Sequence, residues 1–230
     1  MKQVILHVLC EGQTEDRFVS LVLSPYLQRY NIVAKHQILV TSKKKGVHGG
    51  VLNYGQVKRD LDLMFRQFHD THIETHWFTT MFDLYALPTN FPGFDRTITN
   101  PYNRVEHVEE SFGNDICNDR LIPYIQLHEF ESLVFTDLDY LLTEYPNAQK
   151  AVERLKTVLL QKQNNPELVN DGVDTAPSKR IIAELEKCGH DYNKVKVGPA
   201  CTEQKGVEML KQECRHFAEW IAKLELLGNY

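Results

Sequence analysis

The sequence predicts an α/β fold: a mostly parallel four-stranded sheet flanked by helices, with a C-terminal helical extension. Three observations predict it. Short apolar runs alternate with segments of helical periodicity up to residue 142, the order that specifies parallel strands joined by right-handed crossovers. The first run is apolar almost throughout rather than alternating, as in a strand buried on both faces. After residue 142 only helical patterns remain. The chain therefore divides into an α/β core over 1–142 and a helical extension over 143–230 that packs on it.

Residues 4–10 form the first strand. Gly12 ends it, and a helix is predicted over 14–30 with Phe18, Leu21, Val22 and Leu27 along one side. A second strand follows over 32–40. The polar segment 41–55 carries Lys43, Lys44, Lys45 and His48 among Gly46, Gly49 and Gly50. Helical spacing returns over 56–69 through Val57, Leu61, Met64, Phe65 and Phe68. The third strand spans 75–84 and runs into a loop containing Tyr85, Pro88, Phe91, Pro92 and Phe94. These rings either anchor the loop as a small apolar cluster or form a wall on which bases stack. A helix over 102–112 and a fourth strand over 121–127 complete the core. Helices over 147–163, 178–188 and 202–227 make up the extension, with a mobile loop over 164–177.

Composition bounds the function. With 42% hydrophobic and 25% charged residues in 230, the chain has the makings of a globular protein. No apolar run approaches the ~20 residues that span a bilayer, and Glu11, Glu15 and Asp16 follow the first strand too closely for it to be a signal peptide. The five cysteines, Cys10, Cys117, Cys188, Cys201 and Cys214, are dispersed without CxxC spacing. That excludes a disulfide framework or a zinc knuckle and points to a reducing cytoplasm. A net charge of −5 excludes a uniformly basic nucleic-acid binder, so such binding requires a local basic patch.

In open parallel sheets, ligands bind beyond the carboxyl ends of the strands. Glu11 and Glu15 lie after the first strand, Asp83 after the third, and His128, Glu129 and Glu131 after the fourth. Carboxylates gathered at one edge repel one another and call for a cation, and oxygen-only donors select Mg²⁺ or Mn²⁺ over softer metals. Each residue also has a structural reading: Glu11 as an acid at a helix N-terminus, Glu15 as a helix-opening residue, Asp83 as a turn cap, and Glu129 and Glu131 as surface charges. His128 reads as a packed neighbour, not a ligand. The trio His69, His72 and His76 straddles a helix–strand junction away from this edge and is assigned no metal.

The strand–Glu–Gly–x–Thr–Glu start (Glu11 to Glu15), the Phe-Asp-x-Tyr-x-x-Pro segment (Phe82 to Pro88), the His-Glu-Phe-Glu-Ser-Leu-Val-Phe segment (His128 to Phe135) and Pro-Ser-Lys-Arg (Pro177 to Arg180) resemble a bacterial family, domain of unknown function 4276. That family is similar to the Toprim fold of topoisomerases, primases and overcoming-lysogenization-defect nucleases. The resemblance implies a Toprim-like core in which Glu11 matches the Toprim glutamate and Asp83 the first residue of its Asp-x-Asp. Tyr85 stands where the second aspartate belongs, and Glu129 or Glu131 is expected to replace it. It further implies an ATPase partner in an antiviral defence locus.

The expected function is Mg²⁺- or Mn²⁺-dependent hydrolysis of nucleic acid. Glu11, Asp83, Glu129 and Glu131 hold metal, Lys179 steadies the phosphate, and Lys43, Lys44, Lys45 and Arg180 follow the backbone, the three-lysine segment reading equally as a solvated, flexible loop. The rival is a catalytically degenerate subunit that docks on an ATPase. Phosphotransfer to a small nucleotide ranks last, because no GxxxxGK[ST] loop is present.

Overall fold

Strand β1 (Gln3–Cys10) is the strand on which both layers of the molecule are laid. The computed structural model describes residues 2–39, 51, 53–169, 172 and 174–229. Every residue of β1 after Gln3 is buried. Val4, Leu6, Val8 and Cys10 enter one apolar cluster and Leu9 the other, while His7 stacks on Phe68 and Phe78. This is the two-sided burial its apolar run predicts.

From β1 the chain continues as α1 (Gln13–Phe18), a wider π turn over Val19–Leu23 and α2 (Ser24–Leu27), one helical run as predicted. The widening has a local cause. Pro25 has no N–H to give, and the Ser24 amide reaches back five residues to the Val19 carbonyl. Then come β2 (Ile32–Ile38), α3 (Tyr54–Gln67), β3 (Glu74–Asp83) and α4 (Pro101–Ile116). The strands β4 (Leu121–Ile122) and β5 (Ile125–Gln126) follow, then α5 (Glu131–Val134) and α6 (Leu141–Glu144). The C-terminal helices are α7 (Gln149–Gln161), α8 (Pro177–Glu186), α9 (Lys194–Lys205), α10 (Val207–Glu213) and α11 (Arg215–Leu226).

The sheet order is β2-β1-β3-β4, with β5 also paired to β3, and every pairing is parallel. On one face, α3 and α4 bury Val57, Leu61, Met64, Val105, Val108 and Phe112 against Phe78 and Phe82. The other face is covered jointly by Phe18, Val22 and Leu27 of the first helical run and by the C-terminal helices, through Leu155, Ile181, Leu185, Phe217 and Trp220. Among the described residues, no helix is long and apolar enough to cross a membrane.

The structure departs from the sequence-based expectation at three places and, at a fourth, favours the anchoring cluster over the stacking wall in the aromatic loop. The fourth strand, expected unbroken over 121–127, is interrupted at Pro123 and Tyr124, although its register carries across the gap: Thr79 lies opposite Ile122 and Phe82 opposite Ile125. Pro123 cannot donate to the ladder. Side chains of β3 fill in. Thr79 Oγ1 donates to the Ile122 carbonyl (2.6 Å), and Thr80 Oγ1 donates to the Tyr124 carbonyl (2.9 Å) and accepts from its amide (3.1 Å). The helix expected over 202–227 is three helices, divided at Gly206, whose φ is 79°, and at the extended Cys214. The segment expected as a mobile loop contains a 3₁₀ turn, Pro166–Leu168, with Glu167 fully buried. Its carboxylate accepts from the amides of His216 and Phe217 (both 3.0 Å) and from the Tyr102 hydroxyl (3.0 Å), tying this segment to α11 and α4. In the aromatic loop, Phe91 is buried between Tyr54 and Phe112, and Gly93 lies so close to α4 that a Cβ would meet Ser111 Oγ at 2.7 Å. The loop is anchored, and its most central ring is not free to stack on bases.

The bridge across the strand break gives a test. Thr80→Val keeps the shape and leaves a buried amide and carbonyl of Tyr124 without their partner. Urea unfolding should show a loss of about 1–3 kcal/mol, against less than about 0.5 kcal/mol for a surface control such as Lys150→Gln.

Candidate carboxylate site at the strand ends

Because the strands are parallel, their carboxyl ends share one edge. Glu11 prolongs β1 by one residue, its amide donating to the Met81 carbonyl (3.0 Å), and its Oε2 accepts from the Asp83 amide (2.8 Å). Asp83 Oδ1 in turn accepts from the Phe130 amide (2.9 Å). Glu15 Oε2 accepts from the Gly12 amide (2.9 Å) and opens α1. Glu129 Oε2 accepts from the Ser178 amide (2.9 Å). That bond caps α8, whose N-cap position is Ala176 and offers no side-chain oxygen. Each of these four acids thus has one oxygen fixed by a main-chain N–H. Glu131, in the first turn of α5, is 1% exposed, and its Oε1 has no hydrogen-bond partner among the described residues.

These groups act on one another. Burial, reinforced by Glu15, pushes the Glu11 carboxyl up to about 8. Burial raises Asp83 well above the usual carboxylate range, with Glu11, Glu15, Glu131 and Glu129 each adding to it. Burial pushes Glu131 up to about 7, with Glu129 and Glu15 adding and Lys194 opposing. Glu15 is raised by burial and held back by main-chain N–H groups and by Lys194. Lys194 is the compensating cation. Its ammonium is held in the charged form by Glu131 first, then by Asp83, Glu15 and Glu129.

Lys194 reaches the site because α9 lies close to it. Gly198, one turn further along the same helix face, approaches Phe130 so nearly that a Cβ would meet the ring at 2.9 Å, with the Thr14 methyl at 3.7 Å. A lysine in the first helical turn opposes the macrodipole. Here the carboxylates it faces offset that cost.

The donor set matches a hard divalent cation in kind: carboxylate oxygens only, several pinned by amides, one buried and unsatisfied. Among the described residues, no three acidic, histidine or cysteine side chains already stand where they could hold a metal ion. A cation would have to draw the carboxylates together.

Of the residues singled out from sequence, Glu11, Asp83, Glu129 and Glu131 meet at this edge. The alternative reading of Glu129 and Glu131 as surface charges fails, since both are buried. His128 is also buried, with a left-handed backbone (φ 64°), and its carbonyl accepts from the Tyr85 amide (2.9 Å). Lys179 is exposed in the first turn of α8, next to Ser178. Arg180 is half-buried, its Nε donating to the Thr175 carbonyl (2.7 Å). Lys43, Lys44 and Lys45 lie outside the described residues. Sequence reasoning missed Lys194 altogether and did not place Glu15 in the site. A lysine directly after the helix-capping Asn193, against the dipole, was the available signal.

Residues 10–225 match the family described as Domain of unknown function (DUF4276). No curated protein and no solved structure matches the chain.

The electrostatics of the edge are testable through stability. A carboxyl raised on folding binds its proton more tightly in the native state. Its stabilising contribution is present below the unfolded pKa and is lost as pH rises through the folded one. For Glu11 that window runs from 4.5 to about 8. Each pH unit is worth about 1.4 kcal/mol, shared among the coupled acids. Glu11→Gln should therefore melt higher than the wild type at pH 8.5, and the gap should shrink toward pH 5. Parallel melting curves for the two proteins across that range would contradict this.

Proposed function

Given that the chain belongs to the DUF4276 family, we propose that it hydrolyses a nucleic-acid phosphodiester using Mg²⁺ or Mn²⁺, in an antiviral defence system with an ATPase partner. The observation that carries the reading is the concentration of carboxylates at one sheet edge, opposed among the described residues by the ammonium of Lys194. Structural acids are normally spread out or paired. Holding these together costs stability at neutral pH, and bound cation would recover it.

Glu11, Asp83, Glu129 and Glu131 are the groups that would hold the metal. Once bound, a divalent ion there supplies Lewis-acid polarisation of the phosphate and a more acidic water. The chain's own residues do the rest. The amides of Asp83, Phe130 and Ser178 each hold one oxygen of Glu11, Asp83 and Glu129, and the carboxylates would still have to close on a cation. Glu131, raised by burial to about 7 in the absence of a cation, would give up its proton on taking one, so cation binding there would strengthen as pH rises through neutrality. Lys194 offsets carboxylate charge that would otherwise repel a polyanion. Lys179, on the exposed turn of α8, is placed to meet the phosphate backbone.

A second reading is favoured by one observation, that among the described residues no three acids stand ready-placed for a metal, and by the resemblance to Toprim proteins, which would put Tyr85 where a second aspartate belongs. In that reading the edge is a degenerate site, and the protein docks on an ATPase as a regulatory subunit.

Cleavage assays separate the two. Single-stranded DNA, duplex DNA and structured RNA are offered with Mg²⁺ or Mn²⁺, with and without the ATPase. Cleavage of at least one substrate is expected, abolished by EDTA and reduced on the order of 100-fold by Glu11→Gln or Asp83→Asn. The double variant should cost little more than either alone. Undiminished activity in both variants would leave the docking reading standing.

A further inference from the structure

Next to the carboxylate edge, a cleft of about 360 Å³ opens between the start of α4, the end of α7 and His128. Its size is that of a small-molecule site. Thr99 and Arg104 line it from the α4 side, Gln161, Lys162 and Gln163 from the α7 side, and the buried His128 ring from the side of the carboxylates. His128 immediately precedes Glu129, so the cleft and the acidic edge share one dipeptide. In a chain of net charge −5 the lining is unusual, carrying Arg104 and Lys162 and, among the described residues, no carboxylate. The cleft beside α4 and Pro123 leans the other way, with Glu106, Glu109 and Glu110 against Lys223.

The backbone gives a second, independent observation. Among the described residues, five non-glycine residues have a left-handed backbone, and two of them, His128 (φ 64°) and Gln163 (φ 57°), line this cleft. Gln163 follows the last turn of α7. Its amide bonds to the Leu160 carbonyl and that of Asn164 to the Leu159 carbonyl, the arrangement in which glycine is the ordinary residue. A glutamine there bears a conformational cost, and it stands at the lining of the cleft. The main-chain amides at the start of α4 are not available to a ligand, because Asn100 Oδ1 accepts from those of Tyr102 and Asn103 and Pro101 has none. Anion recognition falls to the side chains.

We propose that this cleft binds a nucleotide phosphate, with Arg104 and Lys162 on the phosphate and Thr99, Gln161 and Gln163 on the attached sugar or base. The identity of the ligand rests on the phosphodiester reading above: the cleft would hold a nucleotide next to the one at the carboxylates. Its binding is separable from that reading, because no metal is required.

The test is calorimetric titration of the full chain in EDTA with a nucleoside 5′-monophosphate, with inorganic phosphate and with a short single-stranded oligonucleotide. The monophosphate is expected to bind, and to bind more tightly than inorganic phosphate. Lys162→Gln should weaken it about tenfold, and Lys162→Glu should remove it. Lys162 is half-buried at the end of α7, so both variants should fold, as unchanged melting curves would verify. Asp83→Asn should bind like the wild type, because Asp83 does not line the cleft. Absence of binding by the wild type, or binding indifferent to Lys162→Glu, would overturn the proposal. Equal affinity for inorganic phosphate would overturn the nucleotide assignment. A protein that binds in EDTA yet cleaves nothing with Mg²⁺ would keep the cleft and lose the hydrolase.

Discussion

Everything at the functional edge follows from the cost of keeping carboxylates out of water beside one another. A buried carboxylate resists ionisation, and a second one nearby adds to the resistance. Glu11, Glu15, Glu129 and Glu131 are buried together with the half-buried Asp83, and loss of solvent is the largest cause of the raised Glu11, Asp83 and Glu131. Main-chain N–H groups take up part of the cost, and Lys194 takes up more. Among the described residues Lys194 is set against several acids, an imbalance that a proton or a cation would settle.

The remainder of the fold supplies these compensations from distant parts of the chain. The Ser178 amide comes from α8 and the Lys194 ammonium from α9, so the C-terminal helices complete the edge as well as covering one face of the sheet. Gly198 permits the close approach of α9 to Phe130. Glu167, fully buried, fixes the start of α11 through two amides. From that helix Trp220 donates to Thr79 Oγ1 (3.0 Å) and stacks on Tyr124, so the strand break beside the site is held from both sides.

Some of this was legible in the sequence. The apolar run of β1, the alternation of strands with helices and the rule that ligands collect at carboxyl ends of parallel strands sufficed to bring Glu11, Asp83, Glu129 and Glu131 to one edge. The break in the fourth strand was half-visible, since Pro123 cannot join a ladder, but its repair depends on Thr79 and Thr80 lying opposite, which only the register reveals. Glu167 looked like one acid in a polar loop because its partners are main-chain amides, which carry no residue identity. Lys194 was illegible for a related reason. Its helix starts far along the chain from the strands it serves, and only packing through Gly198 brings the two together.

The central claim is that the acidic edge is built to receive a divalent cation. Electron paramagnetic resonance of Mn²⁺ titrated into the full chain at pH 7.5 tests it most directly, because bound Mn²⁺ loses the sharp signal of the free ion. The account predicts saturable loss of that signal at one or two ions per chain, reversed by excess Mg²⁺ and largely abolished in Glu131→Gln and Asp83→Asn. A free-ion signal that rises in proportion to added Mn²⁺, the same with protein as without it, would contradict it.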